Sequence, residues 1–295
     1  MFAASFEYKK AGSVSDAIQI LSNNGEAKVL AGGQSLIPLL KLRLARPTVV
    51  VDIGGIQELK GITVEGGTMR VGSLTTHSEI ASSPQVHESC EILAEAAGGV
   101  GDPAVRNRGT IGGNASHADP ASDLPTVLTA LNANFSVQGQ GGLVSRGSRS
   151  VPASEFFTGA FTTALAENEI LTGVEVPVLQ TNQVAEYAKM SHPATHFAVV
   201  GAAVVITLEE GTVCTAASVA VGGLVPKPMR APSVESALVG QQLTQDLITA
   251  AADRVADDLG SDIIGDIFAS VDYRRAMAAI ELKHALFHAV GLAHH

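Results

Sequence analysis

The chain has 295 residues, of which 46% are hydrophobic and 16% are charged. This balance predicts a folded protein with a sizeable core, and the length predicts about two domains. The 29 acidic residues outnumber the 19 basic ones, and the resulting net charge of −10 argues against a nucleic-acid groove, which needs a basic surface. Apolar runs are interrupted every few residues, so no membrane-spanning segment is predicted.

The first part of the chain predicts a small α/β unit. Ser13 and Asp16 form a capping-box-like pair at the start of a helix. A short strand at 27–30, an apolar segment at 36–44 and a strand at 49–53 follow in that order. Helix, strand, turn, helix and strand in succession are typical of a compact α/β subdomain.

The middle of the chain predicts a second unit of helices and antiparallel strands. Gly66-Gly67 divides an alternating segment at 62–72 and indicates a β-hairpin. Helices are predicted around 76–82, 88–98 and 124–131, and strands at 134–138, 149–152 and 170–176.

The pattern changes after Pro177. Two long runs rich in alanine and valine, 197–208 and 212–221, predict a hairpin. Two helices are predicted at 240–260 and 272–288, and in the second the spacing of Tyr273, Met277, Ile280 and Phe287 predicts the buried face. A hairpin-rich sheet followed by helices is an α+β arrangement.

Two glycine turns are the most informative motifs. The first is Ala31-Gly32-Gly33-Gln34-Ser35 and the second is Thr110-Ile111-Gly112-Gly113-Asn114. Glycine permits positive φ and close approach, so such turns let backbone N–H groups converge on an anion. With carboxylates just behind the second turn, at Asp119 and Asp123, the pair predicts a clamp for a diphosphate and its sugar. Ordinary tight turns remain the alternative for the glycines, and helix caps or an acid/base pair for the carboxylates.

Several other sites are excluded or left open. The chain has neither the dinucleotide-binding nor the P-loop glycine pattern, and it lacks a nucleophile elbow. Cys90 and Cys214 are two isolated cysteines that cannot hold an iron–sulfur cluster or a cysteine-rich zinc site by themselves, and they are predicted to be buried free thiols. His284 and His288 have helical spacing but no third metal ligand.

The N-terminal residues and the basic residues complete this picture. The N-terminal residues lack a basic region followed by an apolar one, which predicts a cytoplasmic protein. For the basic concentrations the sequence leaves three roles open: binding a phosphate, facing an acidic partner, or lying in solvent as plain charges. These residues are Lys41, Arg43, Arg46, Arg106 and Arg108.

Together these residues resemble the flavin-binding medium subunit of the molybdenum hydroxylases, the carbon monoxide dehydrogenase/xanthine dehydrogenase family. Segments 29–38 and 110–114 are similar to that family's two FAD loops, and the second is followed by a similar segment at 117–125. The segments 169–177, 187–189 and 273–275 are similar to features of its later regions. The match spans essentially the whole chain in the expected order.

The resemblance implies an α+β protein: an FAD-binding fold of two α/β subdomains (PCMH-type), followed by a C-terminal α+β domain. The implied FAD-binding domain is 1–177, with subdomains of about 1–55 and 56–177, and the C-terminal domain is 178–295. Carried over by position, Asp123 holds ribityl or ribose hydroxyls, Leu171 lies against the flavin, and Lys189 approaches the isoalloxazine end. The remaining implied FAD-binding residues lie in the two turns: Ala31, Gly32, Gly33, Gln34, Ser35, Leu36, Thr110, Ile111, Gly112, Gly113 and Asn114.

The implied function is that of an electron-transfer subunit in a heterotrimer. The molybdenum cofactor is expected on a large partner subunit and two [2Fe–2S] clusters on a small one, with electrons passing through FAD on this chain to an external acceptor. A dimer of heterotrimers is expected, and none of this chain's residues is expected to be catalytic. Gln34 stands where many relatives have histidine, and residues 191–197 depart from the usual arginine-rich stretch. A self-contained FAD-dependent oxidoreductase and a flavin-binding scaffold without turnover remain the alternatives.

Overall fold

The structure, a computed structural model, describes residues 2–141 and 147–292. Its first sheet has three parallel strands, with β3 between the other two. The Ser13 hydroxyl accepts a hydrogen bond from the Asp16 N–H and caps α1, whereas the Asp16 carboxylate accepts from Gly12 N instead of completing the capping box. The elements are β1 (Glu7–Lys10), α1 (Val14–Ser22), β2 (Lys28–Leu30), α2 (Leu36–Lys41) and β3 (Val49–Asp52).

The second sheet has five antiparallel strands in the order β4-β5-β10-β6-β7. The predicted hairpin at 62–72 is confirmed, and both glycines of its turn have positive φ. A 3-10 helix, Gln57–Leu59, precedes it. The strands are β4 (Ile62–Glu65), β5 (Thr68–Gly72), β6 (Asn134–Gln138), β7 (Ser148–Pro152) and β10 (Ile170–Pro177), with a small hairpin of β8 (Phe157–Gly159) and β9 (Thr162–Thr163). The helices are α3 (His77–Ala81), α4 (Pro84–Gly98), α5 (Pro103–Arg106), α6 (Ile111–His117), α7 (Asp123–Ala130) and α8 (Ala153–Phe156).

The third sheet is antiparallel, in the order β11-β12-β13-β14. The predicted long hairpin is confirmed, with Glu210 and Gly211 at positive φ in its turn. The strands are β11 (Gln183–Ser191), β12 (Ala198–Glu209), β13 (Val213–Gly222) and β14 (Met229–Arg230). The helices are α9 (Pro232–Leu238), α10 (Gln245–Asp253), α11 (Val255–Asp258) and α12 (Val271–Ala289).

Two predictions for this last region are wrong. The segment 240–260 is not one helix, because the chain forms α10 and α11 there. On α12, Tyr273 and Ile280 are 44% and 42% exposed, whereas Arg274 and Glu281 are buried. Arg274 donates to the carbonyls of Val199 and Gly223 and pairs with Asp266. A buried, fully paired arginine belongs to the core yet is invisible to a pattern of apolar spacing.

Strand β12 lies between two hydrophobic cores. Ala203 and Val205 belong to the core that the second sheet shares with α4 and α7. Val204 and Ile206, on the opposite face, belong to the core beneath α9, α10 and α12. Successive side chains of a strand point to opposite faces, so a strand buried on both sides reads as the continuous apolar run seen here.

Candidate functional site

The first glycine turn presents a row of unpaired donors. It joins β2 to α2, and Gly33 has a φ of 77°, a conformation that glycine adopts without strain. Within the described part of the chain, the backbone N–H groups of residues 32–36 have no hydrogen-bond acceptor. The turn is half-buried, with Gln34 exposed at its outer edge. Successive backbone N–H groups without acceptors in a turn have the chemistry to bind an anion.

The two glycine turns lie against each other. A Cβ added to Gly32 would lie 1.8 Å from the carbonyl oxygen of Arg108, two residues before the second turn. A Cβ on Gly113 would lie 3.7 Å from that of Ala31. The structure therefore brings Ala31 and Gly32 of the first turn against the segment from Arg108 to Gly113. This contact depends on the missing side chain at Gly32.

The second turn does not offer its backbone N–H groups to a ligand. Thr110 caps α6 by accepting from Gly113 N at 3.0 Å, and its carbonyl accepts from Asn114 N. Ile111 N donates to the carbonyl of Thr75 at 3.0 Å, and Gly112 N donates to that of Ser73 at 2.9 Å. The prediction that these N–H groups converge on an anion is wrong, because Ile111 N and Gly112 N donate to the 73–75 segment and Gly113 N and Asn114 N donate to Thr110.

What the second turn presents instead is side-chain polarity. The side-chain nitrogen of Asn114 (Nδ2) donates to Ser122 Oγ at 2.6 Å. The side-chain oxygen (Oδ1) is buried and has no partner among the described residues. Ser73 Oγ, beside Gly112, is buried and unpartnered in the same way. Buried polar atoms are nearly always hydrogen-bonded in folded proteins, so two such atoms beside one turn indicate a place for a polar ligand.

Asp123 is the first residue of α7 and lies in a buried network. Its Oδ1 accepts from the Tyr187 hydroxyl at 2.8 Å, and its Oδ2 pairs with Lys189 Nζ at 2.8 Å. Burial raises the pKa of Asp123 above its usual value, opposed by the nearby Lys189 charge and by its hydrogen bonds. The alternative of a helix cap is wrong for Asp123, whereas Asp119 does accept from Ala121 N, two residues ahead.

Lys189 connects three separate segments of the chain. Besides Asp123, its ammonium donates to the carbonyls of Gly99 and His196, each at 3.0 Å. Gly99 follows α4, and His196 lies in the loop between β11 and β12. All three ammonium hydrogens are thereby used, and the side chain is 15% exposed.

Leu171 lies in β10 and is buried in the core of the second sheet. A bulge follows it, and the carbonyl of Thr172 accepts from Ser73 N at 3.2 Å. Through Ser73, this strand supports the segment that binds Gly112. Ser73 and Thr75 were not predicted from the sequence, because their contacts with the second turn are non-local and no local motif marks them.

His77 also belongs to the layer behind the turns and was not predicted. The backbone N–H of His77 donates to the Gly109 carbonyl, and the imidazole ring lies against the Gly109 backbone. Burial and the Arg106 charge lower its pKa to about 4, so the ring is neutral at pH 7. Behind the turns His77 supplies packing and shape, with no charge.

No metal centre accompanies these residues. Within residues 2–141 and 147–292, no three histidine, cysteine, aspartate or glutamate side chains are placed to hold a metal ion. Cys90 and Cys214 are buried free thiols, as predicted. In the same part of the chain, no helix combines the length and apolar character needed to cross a membrane.

The comparisons with known proteins agree with this geometry. Residues 4–179 match the family described as the FAD binding domain in molybdopterin dehydrogenase, and residues 185–289 match the CO dehydrogenase flavoprotein C-terminal domain. The chain belongs to this flavoprotein family. The family's FAD-binding domain contains both glycine turns and Asp123.

Relatives over the full length extend this result. The chain is 37% identical to the carbon monoxide dehydrogenase medium chain of Hydrogenophaga pseudoflava, over 97% of both chains. It is 38% identical to the glyceraldehyde dehydrogenase medium chain of Sulfolobus acidocaldarius, over 95% of this chain and 96% of the other. A solved structure of the Hydrogenophaga pseudoflava enzyme superposes with a TM-score of 0.93, covering 99% of each chain at 38% identity. This molybdopterin dehydrogenase flavoprotein is therefore an FAD-binding oxidoreductase subunit.

Proposed function

We propose that this chain is the FAD-carrying electron-transfer subunit of a heterotrimeric molybdenum hydroxylase. It takes electrons from the [2Fe–2S] clusters of a small partner subunit and passes them to an external acceptor. The large partner subunit carries the molybdenum cofactor and oxidises the substrate. Bound FAD supplies the redox chemistry at this site, and the protein binds and orients it. The relatives are named as medium chains or subunits of several different dehydrogenases, which supports a common electron-transfer role.

The row of unpaired N–H groups in the first turn carries this proposal. FAD brings a diphosphate, and the free donors of residues 32–36 have the chemistry to bind it. Asn114 Oδ1 and Ser73 Oγ lack partners among the described residues and suit the hydroxyl and ring groups of the same ligand. The site residues therefore fit FAD, with the donors of the first turn and the side chains of the second as complementary parts.

We propose different roles for Asp123 and Lys189: Asp123 accepts hydrogen bonds from FAD hydroxyls, and Lys189 acts through its charge. Each oxygen of the Asp123 carboxylate accepts one hydrogen bond within the protein and retains a further lone pair for a ribityl or ribose hydroxyl. Lys189 has no hydrogen left to donate, so it acts through its positive charge and favours the negative charge of reduced flavin. Leu171, in the core, contributes as an apolar wall.

Flavin retention in the purified chain tests the assignment. In Asn114→Leu the orphan oxygen is lost and a branched apolar group enters the turn, so the ratio of flavin to protein absorbance is expected to fall at least about tenfold. Asn182→Leu, at an exposed position, is the control and is expected to keep its flavin. Unchanged FAD content in Asn114→Leu contradicts the site.

Reduction of the flavin by substrate distinguishes the functions. A subunit that depends on its partners keeps oxidised flavin when it is mixed with an aldehyde, purine or carbon monoxide in isolation. In the assembled complex the substrate of that complex bleaches the flavin. Bleaching in the isolated chain would establish a self-contained oxidoreductase instead.

We further propose a cytoplasmic dimer of heterotrimers and the domain division 1–177 and 178–295.

A further inference from the structure

Three cations follow the first glycine turn without any carboxylate beside them. Lys41, Arg43 and Arg46 are exposed, and none forms a salt bridge with a described residue. The sequence from 28 to 51 contains no aspartate or glutamate, although the whole chain carries 29 of them against 19 basic residues. This segment is therefore a local concentration of positive charge on an acidic protein.

Apolar side chains alternate with these cations. Leu42 and Leu44 are 55% and 73% exposed, and Ile37 is 40% exposed on α2. We call Ile37, Lys41, Leu42, Arg43, Leu44 and Arg46 the α2 surface. Phe2 extends it, since its carbonyl accepts a hydrogen bond from Arg43 Nε and its ring is 87% exposed. Clustered exposed apolar groups rimmed by charge indicate an interaction site.

The backbone holds this surface in a defined shape. Leu44 N and Ala45 N both donate to the Leu39 carbonyl, and Arg46 Nε donates to that of Arg43. Arg43 has a φ of 59°, which turns the chain sharply after α2. A surface ordered before binding loses less conformational entropy when a partner covers it.

We propose that the α2 surface docks an acidic, partly apolar face of a partner subunit of the same complex. Charge favours an acidic protein face as the occupant, because none of the three cations forms a salt bridge with a described residue and each can pair with a carboxylate of a partner. An anionic membrane is disfavoured by the net charge of −10 and by the six-residue length of α2. The proposal rests on the proposed function for the existence of partner subunits.

Its location gives the docking a functional meaning. Residues 36–41 of α2 span only ~9 Å at 1.5 Å per residue, so the cations lie about one short helix from the donors of the first turn. A partner seated on the α2 surface therefore covers the region next to the proposed diphosphate site. Assembly then shields bound FAD from solvent at that end.

Carbodiimide cross-linking of the complex purified from cells tests the chemistry directly. This reagent joins an amine to a carboxylate in contact with it, so Lys41 Nζ is expected to be coupled to an aspartate or glutamate of a partner subunit. Peptide mapping by mass spectrometry identifies the joined residues. Coupling of Lys41 to a second copy of this chain, or to no partner at all, overturns the proposal.

Charge reversal tests the energetics. The variant Lys41→Glu with Arg46→Glu is expected to co-purify at least about tenfold less partner subunit at low salt while retaining its FAD. The control, Lys60→Glu with Lys227→Glu, changes the net charge equally at exposed positions and is expected to assemble normally. Full assembly of the first variant overturns the proposal.

Two further readouts distinguish subunit docking from a long-range charge effect and from membrane binding. Leu42→Ser with Leu44→Ser is expected to weaken assembly without altering charge, which excludes a purely long-range effect. Binding of the wild-type chain to phosphatidylserine vesicles in flotation, lost in the charge-reversed variant, would establish a membrane surface instead and overturn the docking proposal. If the wild-type chain purifies without FAD, the proposed function is contradicted. If the variants of the α2 surface keep their FAD and assemble normally, only the docking proposal is contradicted.

Discussion

Replacing Lys189 with methionine is expected to destabilise the protein strongly. The change leaves the Asp123 carboxylate buried with only the Tyr187 hydroxyl beside it, and it removes the donor from the carbonyls of Gly99 and His196. Breaking a buried ion pair from one side costs about 3–5 kcal/mol, and the 15% exposure of Lys189 favours the lower end, about 3 kcal/mol. Urea unfolding followed by circular dichroism at pH 7.5 measures this loss.

The pH dependence of the same variant follows from the pKa of Asp123. Burial raises that pKa above 3.8 and Lys189 opposes the rise, so removing Lys189 raises the pKa further. The native variant then binds a proton more tightly than the unfolded chain does, and its stability falls as pH rises through the folded pKa. The stability deficit relative to wild type is therefore expected to be smaller at pH 5 than at pH 7.5.

Two companion variants make this test decisive. Lys227→Met, at an exposed lysine with no salt bridge in the described residues, is expected to stay within about 0.5 kcal/mol of wild type. Lys189→Met combined with Asp123→Asn is expected to lose less than the sum of the single changes by at least about 1 kcal/mol, because it removes the stranded charge. Wild-type stability of Lys189→Met at both pH values would refute a buried, coupled pair.

Three other predictions concern packing and protonation. Gly32→Ala places a methyl group on the Arg108 carbonyl and is expected to lower stability by about 1–3 kcal/mol and to release FAD, measured by urea unfolding and flavin absorbance; Gly25→Ala, which meets nothing within 4 Å, is the control, and equal behaviour of the two would contradict the close contact. Burial raises the pKa of the Cys90 thiol to about 12, so a thiol reagent at pH 8 is expected to modify it only after unfolding; rapid modification of the native chain at Cys90 would contradict its burial. The His77 pKa of about 4 lies below the unfolded value of 6.5, so His77 is expected to contribute stability that falls as pH drops from 6.5 to 4, on the order of 3 kcal/mol in all. The stability difference between wild type and His77→Phe in urea unfolding is expected to change over that pH range, and a constant difference would contradict the assignment.

Local signals predicted the elements that local interactions determine. Gly66-Gly67 and Glu209-Glu210-Gly211 indicated two hairpins, and both exist. The cap at Ser13 depends on residues three apart and was likewise predictable. In contrast, β11 has no clear alternation and α9 has no strong cap in the sequence. Pairing with β12 determines β11, and packing on β13 determines α9.

The site likewise combines features that local sequence predicts with features that depend on tertiary contacts. The sequence located both turns, but the fate of their N–H groups depends on segments distant in sequence. Ser73 and Thr75 accept hydrogen bonds from two N–H groups of the second turn, whereas the N–H groups of residues 32–36 have no acceptor in the described part of the chain. Glycine is required at position 32 because the Arg108 carbonyl, 76 positions away in the sequence, occupies the space of a side chain. No spacing rule along one segment can reveal such contacts.

The position of β12 between two cores bears on how the molecule can be divided. Cutting the chain near residue 180 would leave Ala203, Val205 and Ala220 facing water on the C-terminal fragment, because their packing partners lie in the N-terminal part. The N-terminal fragment would in turn expose the face of α7 that packs against β12 and β13. Heat is therefore expected to unfold both regions in a single calorimetric transition, and neither fragment to be soluble when it is expressed alone. Separate expression of the two regions is therefore a poor route to studying the flavin site.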